Sequence, residues 1–580
     1  MVKFSKIVLF FSLLILGVLL VFFWGKHRSK GNISEEKLNS ELLVTFAGTS
    51  SLFQKIGRPE ARIEAEWKTK AWKGERVNNQ VLIWTESFLS NVRIETDDLK
   101  GENGSSIPKE NIIANFIHYV ISNGETARSQ RCEVEESGEF QLIADVIGND
   151  TVLDVEANNT QPIWLSIEIP ANIPADLYKG TIEIVLEESS KRHQLSYEIE
   201  VVDRVLPDPK DWKFHLNLWQ NPDAIARVHG VEKWSNEHFV AMEPYMKKLL
   251  KAGQKVVTTT LIHDPWNSQT FDIYDSMILW NKNKDGSWSY DYTNFDKYVS
   301  FMHSLGGDLQ IECFSMIPWN LKFRYYDEIL GKEEILVAEP GSAEYQAHWE
   351  PMLKDFAAHL KEKGWFDQTT IAMDERPLKA MQEAISTIRS ADEGFKISLA
   401  GSYHSEIEKE LFNYSVEFDQ VVDKSVLKER NRKGLITTFY TSCAHEYPNI
   451  FTGSSPAESA WLGWYAASAG YDGFLRWAYN SWPETPLEDS RFGSWPSGDT
   501  FLVYPGALSS VRFEKLIEGI VDFEKLIILK EEFRRSNNQK GLDRLEEIEK
   551  QFTVTALRDL DAEEMVEKAR EVLNDNLVSD

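Results

Sequence analysis

From about residue 43 to residue 202 the chain alternates apolar and polar positions in short runs separated by turn residues: ARIEAEW, QVLIWTE, NVRIET, FIHYVI, IWLSIEI, GTIEIVL and QLSYEIEVV. A period of two at this close spacing, with no long 3.6-residue repeat between, marks half-buried antiparallel strands. The expected product is a β-sandwich over 43–205. Leu206-Pro207-Asp208-Pro209 follows. Its two prolines donate nothing to a ladder, so they end the last strand and stiffen the link.

Beyond the link, strand and helix alternate. Apolar runs at 214–219, 256–262, 309–315, 369–375, 396–400, 418–422, 435–441 and 473–479 predict eight strands. They read as continuous rather than alternating, which is what strands buried on both faces require. Between them lie helical stretches, one opening at Ser235 and stopping at Gly253, another running from about Ala343 to Gly364, with the capping residues helices prefer. The pattern predicts a (β/α)8 barrel over 210–507, an open α/β sheet being the lesser alternative. The segment 508–580 is charged and helical, and RFEKLIEGIVDFEKLIILKEEF spaces its apolar residues three and four apart. It is expected to pack as a buttress or lid. The fold class is therefore multidomain, β plus α/β: an N-terminal β-sandwich, a TIM barrel and C-terminal helices.

Length agrees, because 580 residues exceed what one hydrophobic core organises. Within residues 1–30, Lys3 and Lys6 precede an apolar run at 7–24, and Lys26, His27, Arg28 and Lys30 follow it. Such a run is just long enough to span a bilayer. No small-x-small cleavage site follows, so an uncleaved anchor is favoured over a removed signal. The protein is expected to be exported, periplasmic or at the cell surface, secreted or held to a membrane by 7–24. Lys and Arg number 63 against 91 Asp and Glu, a net charge of −28 with no basic block, so nucleic acid is excluded as a partner. Three cysteines, Cys132, Cys313 and Cys443, without a CxxC pair exclude a disulfide scaffold and a cysteine-rich zinc module. No GxSxG elbow, Walker A loop or GxGxxG turn occurs, and no cofactor is expected.

Barrel enzymes take their catalytic groups from the C-terminal ends of the strands. The fourth run ends IAMDERP, placing two adjacent carboxylates, Asp374 and Glu375, at the mouth, with Pro377 helping to turn the chain into the loop. Two close acids need not share a protonation state, since burial and mutual repulsion raise one of them. Other strand ends repeat an aromatic and amide theme: Trp219-Gln220-Asn221, His263-Asp264-Pro265-Trp266, Pro318-Trp319-Asn320, Ser402-Tyr403-His404, Tyr440-Thr441, and Arg476-Trp477 through Trp482. Aromatic faces beside hydroxyl, amide and carboxylate groups suit a sugar. His263 is either a base or a core histidine, and His404 is read as core. A zinc site from His263, Asp264 and His445 lacks HExxH-like spacing, and no metal is expected.

Together HLNLWQNP, HDPWNSQTFD, IAMDERP, GFLRWAYNSW, GDTFLVYPG and VRFEKLIEGIVDFEKL resemble glycoside hydrolase family 123, the retaining β-N-acetylgalactosaminidases. EAEWKTKAWKGERVNNQVLIWTE and IPADLYKGTIEIV resemble that family's N-terminal sandwich. The resemblance implies an exo-acting enzyme in which the sugar's own 2-acetamido oxygen attacks the anomeric carbon. Asp374 would then orient the acetamido N–H and remain ionised, and Glu375, with a raised pKa, would serve as general acid and base. Trp219, Asp264, Trp266, Tyr440, Trp477 and Trp482 are the expected substrate-binding residues, by motif position and aromatic chemistry. The partner implied is a glycan or glycoconjugate. Alternative readings are a barrel glycosidase for another sugar and a non-catalytic surface protein that binds glycans.

Overall fold

A computed structural model describes residues 41–575 except 125–126, 136–137, 188–190 and 308. The apolar run at 7–24 lies outside the described residues. Among the described residues no helix is long and apolar enough to cross a membrane.

The N-terminal part is a two-sheet sandwich. One sheet orders Leu42–Phe46, Arg76–Thr85, Thr160–Glu168, Ile112–Asn123 and Phe140–Ile147, all neighbours antiparallel. The other orders Glu66–Lys73, Lys191–Val205, Asp176–Leu186, Leu89–Thr96 and Val152–Val155. The inward positions of the alternating runs, Val81, Ile83, Leu165 and Ile167 on one sheet and Ile182, Ile184, Tyr197 and Ile199 on the other, make one buried core.

Eight parallel strands follow: β1 His215–Leu218, β2 Val256–Thr260, β3 Gln310–Phe314, β4 Thr369–Met373, β5 Lys396–Gly401, β6 Asn413–Glu417, β7 Ile436–Tyr440 and β8 Gly473–Arg476. Their order is β1-β8-β7-β6-β5-β4-β3-β2, the order of a barrel. The β1/β2 seam carries one bridge, Leu216 to Gln254, and is otherwise closed by side chains. Gln254 accepts from Leu218 N–H at 3.0 Å and donates to Val256 O at 2.7 Å, and Gln220 accepts from Thr258 N–H at 2.9 Å. Two amides thus stand in for ladder bonds, satisfying backbone groups that burial would otherwise leave unpaired.

The sixth strand departs from the sequence expectation. It occupies Asn413–Glu417, not 418–422, and Phe418 and Val422 are buried loop residues. The barrel interior is polar here: Asn413 and Ser415 are buried, as are Asn217, Glu312 and Ser398 on other strands. That interior layer breaks the apolar run that would have marked the strand.

The C-terminal segment is a buttress. Its long helix, Val511–Ser536, crosses the barrel helix Pro456–Ala469 where Gly463 meets Gly519. A Cβ on Gly463 would lie 2.0 Å from Gly519 O, so the close crossing depends on both glycines. The same helix binds the sandwich through buried pairs, Arg512 with Asp145 at 2.8 Å and Lys525 with Glu75 at 2.8 Å. Ser509–Ser510 adds to the sandwich sheet beside Val146 and Ile147. Cys132 of the sandwich is disulfide-bonded to Cys443 in the loop after β7.

Candidate active site

Strand β4 ends at Met373, and helix Leu378–Ala391 begins four residues beyond Asp374. In the intervening turn the two acids part company. Asp374 turns towards the loops after β2 and β3, and Glu375 leans over the end of β5. Gly401 there makes room for it: a Cβ would lie 3.2 Å from Glu375 Cγ and 3.3 Å from its Cα.

The Asp374 side is dry and aromatic. Asp374 is 7% exposed and accepts a hydrogen bond from Trp266 Nε1–H. Trp266 stacks on Trp219 with centroids 5.0 Å apart and meets Tyr274 edge-on at 4.6 Å, and Phe314 lies against both indoles. Trp219, Trp266, Tyr274, Phe314, Tyr440 and Leu475 form one buried cluster, with Trp477 packed on its edge. Trp319 N–H donates to Pro265 O at 3.1 Å, tying the β3 loop to the β2 loop. The Trp319 side chain lies close enough to Asp374 to favour its charged form, and the Arg376 guanidinium lies 5.2 Å over its ring.

Burial pushes the Asp374 carboxyl up to about 7, against the opposing effects of the Trp266 bond and the nearby Trp319; the nearby Glu312 carboxyl adds to the rise and Arg376 opposes it. Glu312, on β3 beneath the cluster, is itself raised by burial and held by Asn217 Nδ2–H at 2.8 Å. Glu375 opens to solvent at the rim. Its carboxyl also rises to about 7, first from the protein crowding the cleft, then from the like charges of Glu417 and Asp374. The expected asymmetry, with only Glu375 raised, is therefore not present in the protein alone. Asp374 is raised too because it is the more deeply buried of the pair.

The other expected site residues divide. Trp219, Trp266, Tyr440 and Trp477 are brought together in one cluster, from which Trp266 bonds Asp374. The buried Tyr440 hydroxyl has no hydrogen-bond partner among the described residues. Trp477 Nε1–H donates to Asp499 at 3.3 Å. Asp264 holds the loop instead of presenting its carboxylate: at φ 53° it accepts from Ser268 N–H at 2.7 Å and Ser268 Oγ–H at 3.1 Å, shaping the turn that offers Trp266.

Trp482 is a correction. It is 0% exposed, donates Nε1–H to Val503 O at 2.6 Å and packs on Tyr245 at 5.3 Å, inside the barrel's main core and apart from the mouth cluster. Its sequence neighbours misled because β8 ends at Arg476 and the chain then runs back into the core. His263 pairs with Asp275 at 2.8 Å and has no part in a zinc trio with Asp264 and His445. Among the described residues His445 instead meets Glu417 and Asp419, whose ligand atoms together with its own lie within 4.8 Å of one another. Glu312, Glu417 and Gly401 carried no sequence signal, being single residues in unremarkable runs.

Residues 219–529, more than half of the chain, match the profile of the glycoside hydrolase 123 catalytic domain, and residues 46–186 match the glycoside hydrolase 123 N-terminal domain. No curated protein matches the chain. A family 123 glycoside hydrolase from Clostridium perfringens, whose structure was described for the details of glycolipid glycan hydrolysis, is similar at TM-score 0.84 and 28% identity. The match covers 92% of this chain and 98% of that one. A β-glucuronidase from Parabacteroides merdae aligns at TM-score 0.29 and 8% identity over 83% of this chain and 53% of that one, too slight a likeness to bear on the chemistry. The parallel barrel, the acid pair at the end of β4 and these matches agree: the chain belongs to glycoside hydrolase family 123 and is a glycoside hydrolase.

Proposed function

We propose that the enzyme removes terminal β-linked N-acetylgalactosamine from glycans, those of glycolipids among them, by exo-acting, substrate-assisted hydrolysis with retention. The observation that carries this reading is the contrast between the two acids. Asp374 lies under aromatic walls with an indole donor fixed on it, which suits a group that orients and stabilises without forming a bond. Glu375 reaches open solvent with a raised pKa, which suits a proton carrier.

In the first step the acetamido oxygen attacks the anomeric carbon as the glycosidic bond breaks. Glu375 gives its proton to the departing oxygen, and Asp374 accepts from the acetamido N–H and balances the charge of the oxazolinium-like intermediate. Water then attacks the same carbon, Glu375 takes its proton, and the ring opens to restore the acetamide. An internal nucleophile held in place replaces an enzyme nucleophile, one of the recognised departures from the two-carboxylate scheme. The aromatic cluster of Trp219, Trp266, Tyr440 and Trp477 would hold the sugar's apolar face. The relative's work on glycolipid glycans supports the substrate class.

Chromogenic glycosides test the reading. N-acetyl-β-galactosaminide should be cleaved, its gluco epimer only slightly, and the unacetylated β-galactoside not at all, because it lacks the nucleophile. Cleavage of the unacetylated sugar at a comparable rate would overturn the mechanism. We also take the protein to be exported, a reading supported by the basic-flanked apolar run at 7–24 and by the Cys132–Cys443 disulfide, a bond that persists in oxidising compartments.

A further inference from the structure

Strand β6 ends at Glu417, whose neighbour Val416 pairs with Gly401, the residue over which Glu375 leans. Glu417 is thus beside Glu375, on the flank away from Asp374. Two residues on, Asp419 projects from the same loop, 60% exposed, and His445 faces both from the loop after β7. The His445 side chain is only 6% exposed, and its Nε2 lies 3.9 Å from Glu417 Oε1 and 3.9 Å from Asp419 Oδ1. That is too far for a hydrogen bond, and buried Nε2 has no partner among the described residues.

The loop that carries His445 is held rigidly. Asn449 Nδ2–H donates to Ser442 O and to His445 O at 2.8 Å each, and Asn449 Oδ1 accepts from Arg476 at 2.7 Å. Cys443 is anchored to the sandwich by its disulfide. The ring packs edge-on against Phe418 at 5.7 Å. A buried donor fixed at this expense of constraint, with nothing to bond, marks a place for a ligand atom.

The chemistry of that atom follows from the tautomer. Ser442 N–H donates to His445 Nδ1 at 3.2 Å, with Ser442 Oγ at 3.4 Å, so in the neutral ring the remaining proton sits on Nε2. A protonated Nε2 is no metal ligand, which counts against a cation held by these three residues. One N–H donor flanked by two carboxylate acceptors complements a hydroxyl, which accepts from the first and donates to a second. A hydroxyl oxygen about 2.8 Å from each group fits between atoms at this separation.

We propose that Glu417, Asp419 and His445 form the subsite for the departing sugar, recognising its hydroxyl groups. The inference rests on the function proposed above. If Asp374 addresses the acetamido group of the sugar being cleaved and Glu375 the glycosidic oxygen, then groups beyond Glu375 face what lies across that oxygen. The enzyme would accordingly favour N-acetylgalactosamine linked to another sugar over the same residue on an alkyl chain.

Two substrates with similarly poor leaving groups test this: an N-acetyl-β-galactosaminyl-hexose disaccharide and methyl N-acetyl-β-galactosaminide. The readout is the ratio of their kcat/KM values. The disaccharide is expected to lead by at least about tenfold, the worth of one or two hydrogen bonds to charged groups. His445→Phe and, on the exposed side, Asp419→Asn should each collapse that ratio towards one. A wild-type ratio near one, or variants in which both substrates slow together with the ratio intact, would overturn the subsite. Cleavage of neither acetamido substrate would overturn the parent reading and this one with it. Restoration of the ratio in Asp419→Asn by added Zn²⁺ would replace the hydroxyl assignment with a metal one and so overturn it too.

Discussion

The two halves of the mouth, one on each side of the end of β4, are built from opposite materials. Towards β1, β2 and β3 the walls are mostly indole and phenyl rings, with Trp266 donating to Asp374 and the Glu312 carboxyl buried beneath. Towards β5 and β6 the walls carry a glycine and carboxylates, joined by His445 from the loop after β7, and Glu375 is open to solvent. Both acids reach a pKa of about 7, but burial does the work on the first side, and on the second the crowding of the cleft is joined by repulsion from Glu417. A raised proton affinity on both sides therefore comes from unequal environments. The lesson is that role follows surroundings: a dry, bonded acid is suited to hold charge still, and an open one to pass protons.

Glu375→Gln should separate the two acids most strongly. With methyl N-acetyl-β-galactosaminide, kcat/KM should fall about 10³-fold, while a dinitrophenyl glycoside, whose leaving group needs little protonation, should lose far less. Equal losses on both would remove the general-acid role. Asp374→Asn should slow every substrate by about 10²-fold or more whatever its leaving group, since the charge it balances does not depend on that group. Unchanged turnover would take Asp374 out of the chemistry.

Two milder changes work through proton affinity and read as shifts of a bell-shaped pH profile. The productive form has Asp374 ionised and Glu375 protonated, so activity is lost as pH falls through the first pKa and as it rises through the second. Trp266→Phe deletes a donor that holds Asp374 down, so the acidic limb should move to higher pH, with a loss of about tenfold at neutrality. Glu417→Gln removes a like charge that holds Glu375 up, so the alkaline limb should move to lower pH, the smallest of the four effects. An alkaline limb that stays in place would mean that Glu417 and Glu375 do not sense each other.

Much of this was legible in the chain. Alternation gave the sandwich, and six of the eight barrel strands fall inside the apolar runs that announce them, while β5 overruns its run by Gly401. The acid pair was legible because a strand end in a barrel points at the mouth, and Trp219 and Trp266 because they follow such ends. Trp482 was not: the same aromatic and polar neighbourhood serves a core residue once the chain packs against the helix Asn236–Lys251. Strand β6 was misplaced because Asn413 and Ser415 face a polar interior that no local period reveals.

By itself the sequence determined the order of the elements, the parallel barrel and the position of two adjacent carboxylates, because these depend on local periodicity and on where strands stop. Only the tertiary structure decided which acid is buried, which groups confront it, and that Cys132 finds Cys443 across 311 residues. The reason is physical. Periodicity is a property of neighbours along the chain, whereas burial, like-charge repulsion and an indole's aim depend on residues such as Glu312, Glu417 and Trp266, which distant strands bring to one opening.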